Sequence, residues 1–222
     1  MKVLLLNGSP HKNGCVFTAL SEVESALTQN GITSEIYWIG NHAVQGCIAC
    51  YKCSSGDGCV FKDRLYIELV EKIREADGLI IGAPVYYAGP PGSLCAILDR
   101  VCFSASTYFK HKPAACVVNC RRGGASAAFE RLNKYFTILE MPVVSSQYWN
   151  STHGTTPDEL RRDLEGLQTM RTLGNNMAYM LKSLSSASLP LPPWLPSSMC
   201  FFALSQAPPA LAMKMASTKP VL

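Results

Sequence analysis

The sequence predicts an α/β protein: one five-stranded parallel sheet in the order 2-1-3-4-5, sandwiched between two layers of helices. Three observations predict it. Short, unbroken apolar runs such as Val3-Leu-Leu-Leu6 and Gly78-Leu-Ile-Ile-Gly82 alternate with stretches of helical periodicity, the pattern of strands buried on both faces. Helices fall between successive strands, so the crossovers are right-handed and few topologies remain. The chain has 222 residues, 48% hydrophobic and 16% charged, enough to cover both faces of such a sheet.

The elements follow in order. Val3 to Leu6 is strand one, closed by Asn7-Gly8. Phe17, Leu20, Val23 and Leu27 recur at helical spacing, and Gly31 suits the position just past that helix. Ile32 to Trp38 has period two and reads as strand two. Arg64 to Ala76 is helical, with Leu65, Leu69 and Ile73 on one face. Gly78 to Gly82 is strand three. Pro90-Pro91 introduces a helix from Gly92 to Phe103, since proline fits a helix start but not its interior. Ala114 to Val118 is strand four, Ala125 to Leu139 a helix, and Pro142 to Ser145 a short strand five. Thr156-Pro157-Asp158-Glu159 is a helix start with a capping threonine. That helix is expected to run to about Leu181.

One domain is therefore expected over residues 1–182. Residues 183–222 differ: they hold seven of the fourteen prolines and only two charged residues, Lys214 and Lys219. Sequence such as L-P-L-P-P-W-L-P forms neither a helix nor a central strand. An irregular tail is the expectation, with a shifted reading frame as the sharper alternative. The net charge of +4 carries no long basic block, so nucleic acid is not indicated. The leading apolar run, Val3 to Leu6, is too short for a signal peptide, and no run of about 18 apolar residues exists. A cytoplasmic protein without a membrane span is expected, its ten cysteines reduced.

The loop N-G-S-P-H-K-N-G-C, Asn7 to Cys15, lies where the strand order reverses, the place where open α/β sheets bind ligands. Ser9 offers a hydroxyl, Asn13 an amide, Lys12 a positive charge, and the following helix its free N–H groups. A helix dipole gives an exposed anion about 0.3–1 kcal/mol, whereas a hydrogen bond to a charged group gives about 1.5–3 kcal/mol. Several such bonds outweigh the dipole, so backbone and hydroxyl donors dominate. The loop is neither G-x-x-x-x-G-K-[ST] nor G-x-G-x-x-G. After strand three, Pro84-Val85-Tyr86-Tyr87-Ala88-Gly89 can form an aromatic, backbone-rich wall for a flat ring. After strand four, Arg121, Arg122, Gly123 and Gly124 offer charge and close backbone approach.

Taken together, G-S-P-H-K-N-G (8–14), P-V-Y-Y-A-G (84–89), L-C-A-I-L-D-R (94–100), R-R-G-G (121–124) and L-E-G-L-Q-T-M-R-T-L-G (164–174) resemble the flavodoxin-like NAD(P)H-dependent FMN reductase family over residues 1–181. The resemblance implies a flavodoxin-like sandwich and FMN with its phosphate at Ser9, His11, Lys12, Asn13, Cys15, Val16 and Phe17. It implies that Pro84, Val85, Tyr86 and Tyr87 contact the isoalloxazine ring, with further contacts at Arg121, Gly123 and Gly124. His11 stands where the family often has Arg. Cys15-Val16 replaces Asn-Thr or Cys-Thr, which removes a possible hydroxyl donor to the phosphate. A homodimer is also implied.

Cys47, Cys50, Cys53 and Cys59 form C-x2-C-x2-C-x5-C, related to the ferredoxin run C-x2-C-x2-C-x3-C-P. The motif is similar to that of the iron–sulfur flavoproteins, a branch of the same superfamily, and implies a [4Fe-4S] cluster. The alternative is a loop of reduced thiols at the rim of the flavin site. Cys15, Cys95, Cys102, Cys116 and Cys120 read as packing residues, and His153 as an exposed loop histidine.

The reading is an FMN-dependent oxidoreductase that takes electrons from NAD(P)H and passes them to a small acceptor: a quinone, a nitro or azo compound, or a flavin. No side chain is assigned as catalytic acid or base. Three alternatives stand beside it: a cluster-containing protein exchanging electrons with ferredoxin, a flavodoxin-type carrier, and a cofactor-free binding module.

Overall fold

The computed structural model describes residues 1–187. The five strands β1 (Lys2–Asn7), β2 (Thr33–Trp38), β3 (Gly78–Pro84), β4 (Ala114–Cys120) and β5 (Ser151–His153) form one sheet. Its order is β2-β1-β3-β4-β5, and every pairing is parallel. The helices are α1 (Cys15–Gln29), α2 (Arg64–Glu75), α3 (Gly92–Ser104), α4 (Ala125–Ile138), α5 (Pro157–Leu160) and α6 (Leu164–Ser186).

Alternation along each strand feeds two cores. Leu4, Leu6, Leu79, Ile81, Cys116 and Val118 pack under α2, α3 and α4. Val3, Leu5, Ile80, Ala115 and Val117 pack under α1 and α6. Because both faces are covered, the central strands are apolar at nearly every position. Burying one such leucine stabilises by about 1.5–3 kcal/mol, and truncating Leu5 to alanine would cost about 2–5 kcal/mol.

Two expectations about the chain's last third need correction. The fifth strand is Ser151–His153, not Pro142 to Ser145. The earlier segment makes a single bridge, Val143 to Ala114, and then leaves the sheet. Between the pairs Val143–Ala114 and Ser151–Val118 the edge chain uses eight residues against four on β4. The surplus bulges onto α6, where Ser146 donates to Thr169 O at 2.7 Å and Asn176 to Ser145 O at 2.8 Å. The helix expected from Thr156 to Leu181 is two helices. Thr156 caps α5, and Asp163 caps α6 by accepting from Gly166 N at 3.0 Å. Asp163 Oδ2 also accepts from His153 N at 2.7 Å, so the break ties the helix pair to β5. Helix α6 continues to Ser186, past the domain end expected at 182. The rest of the expected tail, residues 188–222, lies outside the described residues. Among the described residues no helix is long and apolar enough to cross a membrane.

Candidate functional site

Asn7, fully buried at the end of β1, organises the loop that follows. Its Oδ1 accepts from Ser9 N at 3.0 Å and its Nδ2 donates to Lys12 O at 3.0 Å. Ser9 Oγ accepts from His11 N at 3.1 Å, and Trp38 Nε1 donates to Ser9 O at 2.7 Å. Gly8 N reaches Gly82 O at 2.8 Å. A Cβ at Gly8 would stand 2.5 Å from Leu94 Cδ2 and 2.9 Å from Gly82 O, so only glycine lets β1 turn here.

Helix α1 then opens on Gly14 with no side-chain cap. The amides of Cys15, Val16 and Phe17 find no acceptor among the described residues. Unpaired helix N-terminal amides attract an anion, by direct hydrogen bonds and by the dipole. They meet a crevice of about 700 Å³, within the range of small-molecule sites. Its lining comes from residues 9–16, Trp38 at the end of β2 and Asn41 after it, Pro84 at the end of β3 and Tyr86 after it, Asn119 near the end of β4, and residues 155–157 after β5.

Of the residues singled out from sequence, Ser9, His11, Lys12, Asn13, Cys15 and Val16 line this crevice together with Pro84 and Tyr86. Val16 is 1% exposed and packs in the core below Gly82, so much of its side chain serves packing. Phe17, Val85, Tyr87, Arg121, Gly123 and Gly124 do not line it. Val85 N donates to Asn119 O at 2.9 Å, continuing the sheet instead. Tyr86 and Gly89 exchange backbone hydrogen bonds at 2.8 and 2.9 Å around a tight turn. Its central residues, Tyr87 and Ala88, have φ of 49° and 60°, and the Tyr87 side chain is fully exposed. Gly124 packs against that turn, so the third and fourth loops support each other.

Sequence reasoning missed Trp38, Asn119, Thr155 and Thr156. The signal for Thr155 and Thr156 is the strand end: with strand five placed at Pro142 to Ser145, the S-T-H-G-T-T stretch falls in a loop before the last helix rather than at the carboxyl end of a strand. Asn119 Nδ2 donates to Gly154 O at 3.1 Å, and Cys15 Sγ reaches the same oxygen at 3.7 Å. His153 is exposed, as expected, but stands on β5, with Nδ1 3.4 Å from Asp163 Oδ2.

The four clustered cysteines line a separate pocket with Tyr51, Phe61, Arg100 and Phe103. Cys47 and Cys50 are exposed, Cys53 and Cys59 half-buried. Burial pushes the Cys53 thiol up, and the neighbouring Cys50, Cys59 and Cys47 add to it. Left-handed residues at Ala49 (φ 51°) and Tyr51 (φ 55°) wind the loop, and Ala49 N donates to Cys47 Sγ at 3.4 Å. Among the described residues no group of three or more His, Cys, Asp or Glu side chains is arranged to hold a metal ion. The free space in this pocket is about 20 Å³, room for about one water. The donor types nonetheless suit an iron–sulfur cluster: four cysteines line one pocket, and Arg100 Nε, buried in the same lining, has no hydrogen-bond partner among the described residues. Cys15, Cys102, Cys116 and Cys120 are buried, as expected of packing residues. Burial pushes Cys102 up to about 12 and raises Cys15, Cys116 and Cys120, while Cys95 is half-buried.

The sequence profile of the NADPH-dependent FMN reductase family matches residues 1–156. The chain belongs to that family. Among its relatives, an iron–sulfur flavoprotein of Methanocaldococcus jannaschii is 30% identical over 190 residues, covering 82% of this chain and 98% of that one. The iron–sulfur flavoprotein of Methanosarcina thermophila is 29% identical over 188 residues, covering 82% and 96%. The crystal structure of RosB, bound to 8-demethyl-8-formylriboflavin-5'-phosphate, superposes with a TM-score of 0.68 at 17% identity, covering 100% of this chain and 90% of that one. The protein is thus a flavodoxin-like flavoprotein oxidoreductase, an NAD(P)H-dependent FMN reductase-type enzyme.

Proposed function

We propose that the crevice at the carboxyl edge of the sheet binds FMN and that the enzyme passes electrons from NAD(P)H to a small acceptor, such as a quinone, a nitro or azo compound, or a flavin. The observation that carries this reading is that Cys15 and Val16, whose helix N-terminal amides have no acceptor among the described residues, line the crevice together with Ser9 and Lys12. These amides and the Ser9 hydroxyl would hold the phosphate, with Lys12 adding charge. Pro84 and Tyr86 would flank the ring, and Trp38, by fixing Ser9, keeps the phosphate loop in place. When bound, FMN supplies the redox chemistry, hydride acceptance from nicotinamide and electron delivery to the acceptor. The residues of this chain position it and restrict water; none is asked to transfer a proton. Titration with FMN should quench flavin fluorescence at one FMN per chain and give steady NADPH oxidation with a quinone. A protein that leaves FMN fluorescence unchanged overturns the reading.

A second reading concerns the cysteine loop. Cys47, Cys50, Cys53 and Cys59 share one pocket, and the relatives named above are iron–sulfur flavoproteins. On this reading the four thiolates hold a [4Fe-4S] cluster, which supplies single-electron storage, and the acceptor extends to a carrier such as ferredoxin. The narrow space in the pocket means that the loop opens to admit it. Anaerobic purification followed by iron and sulfide analysis tests this; a clean flavin spectrum without iron rejects it.

A further inference from the structure

Arg100 is 1% exposed, the deepest charged side chain among the described residues. It sits in the last half of α3 and lines the pocket of the four cysteines. Its guanidinium gathers both ends of the cysteine loop. Nη1 donates to Gln45 O at 3.2 Å, before Cys47. Nη2 donates to Phe61 O and, at 2.5 Å, to Asp63 Oδ2, beyond Cys59. The plane lies over Phe61 and Tyr66, with centroids 5.7 and 5.1 Å away. Its Nε is buried without a hydrogen-bond partner among the described residues, with the Cys59 thiol beside the guanidinium.

The two halves of the loop are held differently. The Cys59 half is pinned: Cys59 N donates to Tyr66 Oη at 2.9 Å, and that hydroxyl bonds Ser104 Oγ at 2.8 Å. The arm carrying Cys47, Cys50 and Cys53 has local hydrogen bonds and an edge contact between Tyr51 and Phe103, centroids 6.3 Å apart. The arm is therefore the more loosely tied of the two, while Cys59 and Arg100 are held by the hydrogen bonds just described.

A buried cation is costly unless opposite charge meets it. Asp63 supplies one carboxylate, but that carboxylate is 46% exposed and screened by water. A four-thiolate cluster is anionic and would place the missing charge on the other side. Resting on the cluster reading above, we propose that Arg100 is a positioning residue for the cysteine loop whose fixed positive charge and free Nε–H stabilise the reduced, more negative cluster, raising its reduction potential. Asp63 opposes it by offsetting part of that charge.

The test uses the full chain, anaerobically reconstituted with iron and sulfide and loaded with FMN. Midpoint potentials are read by redox titration with electron paramagnetic resonance of the reduced cluster. Arg100→Gln should shift the cluster potential down, and Asp63→Asn, which retains a capping side chain for α2, should shift it up. Arg100→Lys should lie between Arg100→Gln and the wild type, and the FMN potential should not move in any variant. If Arg100→Gln fails to retain the cluster, the upward shift in Asp63→Asn still decides. Intact clusters with unmoved potentials in both Arg100→Lys and Asp63→Asn overturn the proposal while leaving the cluster reading in place. A wild type that takes up no iron and sulfide removes the cluster reading itself, and the proposal with it.

Discussion

Asn119 Oδ1 accepts a hydrogen bond from Thr152 Oγ1 at 3.0 Å, and both residues are buried. The Asn119 amide nitrogen simultaneously donates to Gly154 O. One side chain thus fastens the short β5 and the following crevice-lining residues to β4. Asn119→Ala would leave the Thr152 hydroxyl without this acceptor and the Gly154 carbonyl with only the weak Cys15 thiol donor at 3.7 Å. We expect a loss of about 2 kcal/mol in urea unfolding and weaker FMN binding, measured by fluorescence titration. Asn119→Ala with wild-type FMN affinity would mean that the 155–157 rim does not contribute to the site.

Gly124 meets the strained turn between Tyr86 and Gly89. Its φ is +88°, and a Cβ there would stand 2.8 Å from Ala88 Cα. Gly124→Ala therefore combines backbone strain with a clash against backbone, and should cost at least about 2 kcal/mol. Ala88→Gly should act in the opposite direction, relieving a left-handed alanine at about 1–2 kcal/mol, partly offset by the extra freedom of glycine in the unfolded chain. Thermal unfolding of the two variants should give Tm shifts of opposite sign.

The central strands are legible in the sequence. Val3 to Leu6 and Leu79 to Ile81 announce themselves because burial on both faces leaves no polar position. The loop from Asn7 to Gly14 is legible as a strand-to-helix turn at the crevice because Gly8, Ser9 and Lys12 stand between a strand and a helix. Strand five is not legible: Pro142-Val-Val has the stronger β propensity, yet Ser151-Thr-His pairs further along β4, because Thr152 meets Asn119 and Asn150 O accepts from Val118 N at 2.9 Å. Arg100 is a similar case. A charged residue in a helix reads as solvated, and its partners Gln45, Phe61 and Asp63 lie 37 to 55 residues away.

Lys12 is exposed at the crevice, with Nζ 5.9 Å from the centre of the Trp38 ring. If backbone amides carry the phosphate, the lysine is secondary. Lys12→Met should weaken FMN binding by no more than about tenfold at low salt, and the difference should shrink as salt is raised. Titrations at two ionic strengths check this. A much larger loss that persists in high salt would make Lys12 the principal phosphate ligand.

Glu35, on the edge strand β2, is half-buried between Lys72 and Lys2; the Lys2 Nζ lies 3.1 Å from its Oε2. The hydrogen bond from Lys72, then that from Lys2, outweighs the opposing effect of burial and holds the carboxyl below its ordinary value of 4.5. A carboxyl depressed on folding contributes stability that is fully present above pH 4.5 and is lost as pH falls through its lower folded value. Glu35→Gln removes a proton-binding group from that window. Its stability, followed by urea unfolding from pH 7 to pH 3, should start lower than the wild type and converge on it in acid. Parallel curves across the whole range would show that the ion pairs at this edge add nothing to the fold.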